Sequence, residues 1–75
     1  MRARDMAAAC GLPPRLAYTT KETAGYVGVP YTTLLDEIHA GRLKCFLPNG
    51  RKRGWVIRPE DVDQWIREGT HALEA

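Results

Sequence analysis

Gly28-Val29-Pro30 interrupts two short stretches of helical period, and this break constrains the fold of the chain more than any other feature. Thr19-x-x-Glu22 predicts a capping box before it. The threonine oxygen accepts an otherwise unpaired N–H, and the Glu22 carboxylate accepts from the N-cap amide. Ala24 and Val27 then share one face, with Tyr18 entering just before, while Gly25 weakens the helix and leaves room for a close neighbour. Gly28 suits a left-handed exit from this helix, and Pro30 suits the start of the next, where a missing N–H costs little. Leu34 and Ile38, four apart, form the buried stripe of the second helix, with Leu35 at its margin. Tyr31, Thr32, Leu35, Asp36 and His39 turn toward other faces, and Gly41 stops the helix.

The period then changes. Lys44-Cys45-Phe46-Leu47 and Trp55-Val56-Ile57 are β-prone runs, and Asn49-Gly50 between them predicts a hairpin. Charge is concentrated here as well. The net charge is only +2, but Arg42, Lys44, Arg51, Lys52, Arg53 and Arg58 follow one another without an intervening acid. Acids dominate after Pro59, where Arg67 faces Glu60, Asp61, Asp63, Glu68 and Glu74. A cationic cluster at a hairpin tip is the electrostatic footprint of a polyanion binder. The same cluster also fits a solvated basic loop.

Pro59 opens a last helix, with Glu60 and Asp61 complementing its positive end. Val62, Trp65 and Ile66 are expected to close the core from it, and Gly69 to end it. With 75 residues there is room for one domain, which buries about 60% of its unfolded surface and so has a thin core. We expect residues 1–17 to be a flexible arm, because Gly11 and Pro13-Pro14 cut short the helix that Ala7-Ala8-Ala9 favours. A short helical turn is the alternative there. Residues 18–69 form the domain and residues 70–75 a tail. The fold class is α+β, mainly α.

Several classes of function find no support. Cys10, Cys45, His39 and His71 lack the paired spacings of zinc sites, so no metal or other cofactor is expected. No nucleophile pair, acid pair or glycine-rich phosphate loop is evident, so we expect a protein that is not an enzyme and takes no small-molecule ligand. No stretch approaches the ~20 apolar residues that span a bilayer. The apolar run after Arg2 and Arg4 is short for a signal sequence. A cytoplasmic, nucleoid-associated protein with reduced thiols is expected, without membrane contact.

Two helices joined by a short glycine-containing turn, then a basic hairpin and a closing helix, give the order of a small winged helix-turn-helix. In this order the chain resembles the excisionase-like, or MerR-type, DNA-binding domains. The resemblance lies in Thr19-Thr20-Lys21-Glu22, Gly28-Val29, Leu34 through Gly41-Arg42-Leu43, Arg51-Lys52-Arg53, and Arg58-Pro59-Glu60-Asp61-Val62 with Trp65-Ile66. It covers Tyr18 to about Arg67. It implies that the second helix enters the major groove of double-stranded DNA and that the hairpin wing follows the backbone or minor groove. Carried over by position, Tyr31, Thr32, Leu35 and Asp36 face base edges and Thr33 faces a phosphate. Arg51, Lys52 and Arg53, with Arg42 and Lys44 beside them, supply the wing contacts.

Two departures from the family pattern stand out. Pro30 replaces a polar residue and Asp36 replaces a frequent arginine. Asp36 and Glu37 repel phosphates, although a carboxylate can accept from cytosine N4. Affinity is therefore expected mainly from the wing, with Tyr31 and Thr32 discriminating bases. The long dimerisation helix of full MerR regulators has no counterpart in these residues. A single module of this kind covers about 600–1,000 Å² on DNA, which implies weak binding alone. The resemblance implies an excisionase (a recombination directionality factor) that self-associates side by side on attachment-site DNA, bends it and directs integrase-mediated excision. A small AlpA-like transcriptional regulator and a protein-interaction adaptor are the alternatives.

Overall fold

A computed structural model describes residues 2–47 and 54–70. Four helices and one minimal sheet follow in the order α1 (Ala3–Ala9), β1 (Tyr18–Thr19), α2 (Thr20–Val27), α3 (Tyr31–His39), β2 (Val56–Ile57) and α4 (Pro59–Gly69). The expected helix, turn, helix and closing helix are present, within a mainly helical α+β domain.

Local punctuation sets most of these boundaries. Thr19 caps α2 with a complete capping box: Glu22 N donates to Thr19 Oγ1 at 3.1 Å, and Thr19 N donates to Glu22 Oε1 at 3.0 Å. Gly28 leaves α2 at φ 85°, a left-handed conformation that favours glycine. After α3, Gly41 N donates to Ile38 O and Arg42 N to Glu37 O, each at 3.0 Å, which is the Schellman arrangement of a helix stop. Pro59 occupies the first position of α4 and is buried there. Just before it, Arg58 donates from Nε and Nη2 to the two carboxylate oxygens of Asp61, at 2.9 and 3.1 Å. The Arg-Pro-Glu-Asp run thus closes on itself across the helix start.

The N-terminal segment differs from the flexible arm that was expected. Residues Ala3–Ala9 form α1, which packs between α2 and α4 and buries Ala3 and Ala7 completely or nearly so. Alanine allows the close approach, since a bare methyl brings two helix backbones near each other. The helix start is held from a distance: Ala3 N donates to Asp63 Oδ1 at 2.8 Å, and Arg4 pairs with Glu60 at 2.6 Å. Gly11 and the prolines do end the helix where the sequence places its stop, but docking on α4 stabilises the turns before it. Tyr18 Oη donates to Pro13 O at 2.8 Å and fastens the connecting segment.

The sheet also differs. Val56 and Ile57 pair antiparallel with Thr19 and Tyr18, a strand that the sequence reading takes only as an approach to α2. Of the expected Lys44–Leu47 strand, Phe46 alone bridges to Val56, through reciprocal N–H···O bonds of 2.7 and 2.8 Å. β2 is therefore central, with β1 on one side and the wing's first leg on the other. The Asn49-Gly50 turn and Arg51, Lys52 and Arg53 lie outside the described residues.

Tyr18, Tyr26, Leu34, Leu43, Ile57 and Val62 fill the core, with Ala24 and Ile38 beside them. Tyr26, which period alone leaves unassigned, stacks edge-on against Tyr18 at 6.0 Å. The expected closing stripe of α4 is narrower than anticipated. Val62 is buried and Trp65 half-buried, whereas Ile66 is 48% exposed. Gly25 admits no close neighbour, because a β-carbon there would meet open space.

Candidate nucleic-acid interface

The positions of Leu34 and Ile38 decide what the rest of α3 can present. Both are buried, so the opposite side of the helix faces outward. Tyr31, Thr32, Thr33 and Asp36 are exposed, and Leu35 is half-buried. Pro30 caps α3 without a side-chain hydrogen bond, and its first turn carries no acid. Tyr31, Thr32 and Thr33 therefore occupy an open, positively polarised helix start. Thr32 and Asp36, four apart, lie opposite the buried pair, with Tyr31 and Leu35 on one flank of the helix and Thr33 on the other.

Glu37 behaves differently from the phosphate-repelling acid of the sequence reading. Arg42 donates to its Oε2 from Nε at 2.8 Å and also from Nη2, while Trp65 Nε1 donates to Oε1 at 2.9 Å. The Arg42 guanidinium, with help from the Trp65 N–H, holds the Glu37 carboxyl at about 2, well below the usual carboxylate range. The same contact raises the Arg42 pKa. Glu37 is thus neutralised by a fixed partner and ties α3 to α4. Arg42, placed by sequence among the wing cations, commits Nε and Nη2 to Glu37 while its side chain stays 62% exposed.

Lys44 is exposed and, among the described residues, has no ion-pair partner. Lys21, in the first turn of α2, has the same character. Its relevance emerges only in three dimensions. Lys21, Thr20, Tyr31, Leu35, Gly54 and Trp55 border one shallow recess between the start of α2, the outer side of α3 and the root of the wing. Trp55 is half-buried, its ring edge-on to the His39 imidazole at 6.0 Å. Lys21 and Trp55 are not among the site residues expected from sequence. No sequence pattern marks them: the pairing of Thr19 with Val56, two residues long, is what draws the start of α2 beside the residue preceding β2.

Among the described residues, no three His, Cys, Asp or Glu side chains cluster as a metal site would require, and no helix is long and apolar enough to cross a membrane. A family model described as a helix-turn-helix domain matches residues 17–70. Neither the curated proteins nor the solved structures contain a match to the chain.

Proposed function

Because the chain belongs to the helix-turn-helix domain family, we propose that it binds specific sites on double-stranded DNA with α3 in the major groove, as an excisionase acting beside an integrase. The observation that carries the reading is the division of α3. Its buried side is Leu34 and Ile38, and its exposed residues set Tyr31 and Thr32 at an open helix start with Leu35 and Asp36 a turn further on. In this geometry Thr32 reads a base edge and Thr33 meets a phosphate. Lys44 and the Arg51-Lys52-Arg53 cluster supply backbone contacts that carry no sequence information. Arg42 serves the interface by holding Glu37 away from phosphate.

The protein does no chemistry of its own in this reading. It is an architectural partner in the cytoplasm whose copies bind side by side and bend an attachment site for the integrase. Support comes from the resemblance described above, whose Gly41-Arg42-Leu43 and Arg58-Pro59-Glu60-Asp61 elements here stop α3 and start α4. Selection of bound duplexes from a random library, followed by an excision assay with the cognate integrase, tests both levels. An enriched site with altered excision is expected. An enriched site with unchanged recombination directionality rejects the excisionase and leaves a small transcriptional regulator.

A further inference from the structure

The recess between α2, α3 and the wing root has an apolar side made by Tyr31, Leu35 and Trp55, facing Thr19, Thr20 and Lys21 at the start of α2. Tyr31 and Leu35 stand one turn apart on α3, and Trp55 closes the far side from the wing root. Tyr31 is 41% exposed and neither Leu35 nor Trp55 is fully covered by the chain. The only cation at its border is Lys21 among the described residues. With α3 in the major groove, this carbon surface meets base edges. Major-groove base edges carry hydrogen-bond donors and acceptors, with one apolar group among them, the C5-methyl of thymine. The Leu35 side chain can make only apolar contact with such an edge, and the carbon atoms of the Trp55 ring extend that surface. Lys21, at the rim, suits the phosphate of the strand that would run past α2.

We infer that this recess seats the C5-methyl group of one thymine in the DNA site, with Leu35 and Trp55 as residues that read that position. The inference rests on the major-groove placement of α3. It also explains how a recognition helix with no lysine or arginine of its own can discriminate sequence. Apolar contact with a methyl needs no positive charge, and Asp36 beside Leu35 remains available to accept from an amino group of a neighbouring base.

Deoxyuridine supplies the test, because it differs from thymidine only in lacking the methyl and pairs identically. In the duplex selected by the full chain, each thymine is replaced in turn by deoxyuridine and affinity is measured. One position should lose about fourfold, the worth of one buried methyl-sized group. The penalty should vanish in Leu35→Asn and persist in Leu35→Met, which keeps an apolar side chain of similar size. Tolerance of deoxyuridine at every position overturns the inference, as does an equal penalty in Leu35→Asn and the unmodified protein. Failure to select any duplex instead overturns the DNA-binding reading and the inference with it, and is distinguishable from both.

Discussion

At its start α3 holds out Tyr31, Thr32 and Thr33, none of whose side chains hydrogen-bonds to another described residue, whereas toward its end a single carboxylate, Glu37, receives Arg42 and Trp65 together. The same helix is free at one end and fastened at the other. Pro30, lacking a capping side chain, leaves the first turn open, while the Gly41 turn completes the last one. Fastening one end allows a nine-residue helix, marginal in isolation, to present the other end in a fixed direction. Substitutions at the two ends should therefore fail in different ways.

The largest expected effect lies at the fastened end. Trp65→Ala removes a half-buried ring and the N–H that reaches Glu37, and should destabilise by about 2–3 kcal/mol, below the cost of truncating a fully buried tryptophan. Thermal or denaturant melting measures it. Thr32→Ala, in the free end, should change stability by no more than about 0.5 kcal/mol. If the two variants melt alike, the division of the helix is wrong.

Next in size is the reverse test. Thr32→Ala should relax preference at one base pair by about 1 kcal/mol, the low end of direct readout, while leaving affinity for random duplex unchanged. Competition binding with single-base variants of the selected site reads this out. Equal losses on selected and random DNA would move Thr32 from base to backbone.

How far this arrangement can be read from sequence depends on how far apart its partners lie. Thr19 and Glu22, Gly28, Gly41 and Pro59 act on their own neighbourhoods, so their roles as cap, exits and helix start are legible from residue type and spacing. The buried pair Leu34 and Ile38 is legible for the same reason. The links that organise the surface are not local. Trp65 meets Glu37 across 28 residues, and Ala3 meets Asp63 across 60. No periodicity records such contacts. Two alanines at an apparent frayed end look dispensable until α4 and α2 are found on either side of them. Likewise Tyr18–Thr19 is too short to carry a strand pattern, and without it the approach of Trp55 to Lys21 and Tyr31 has no cause.

A smaller effect separates contact from positioning among the cations. If Lys44 meets one phosphate, Lys44→Ala should flatten the slope of log affinity against log salt by about 0.9. Arg42→Ala should weaken binding without changing that slope, because its guanidinium serves Glu37. Titrations at several salt concentrations decide this. A flattened slope for Arg42→Ala would make it a phosphate contact and break the assignment of Arg42 to the fastened end.

The smallest effect is the acid limb of stability. The Glu37 carboxyl lies at about 2 in the folded protein against 4.5 as its ordinary value, so folding favours its charged form. Its contribution is complete above pH 4.5 and is lost as pH falls from there toward 2, where the folded-state carboxylate also takes up a proton. Glu22, held down by the Thr19 amide, and Glu60, held down by Arg4, act in the same direction. Glu37→Gln should therefore remove part of this acid sensitivity and leave the rest. Melting temperatures of the two proteins should converge as pH drops through that window and lie furthest apart near neutrality, with the unmodified protein the more stable. Parallel curves at every pH would show that Glu37 is not fastened in solution, and α3 would then be free at both ends.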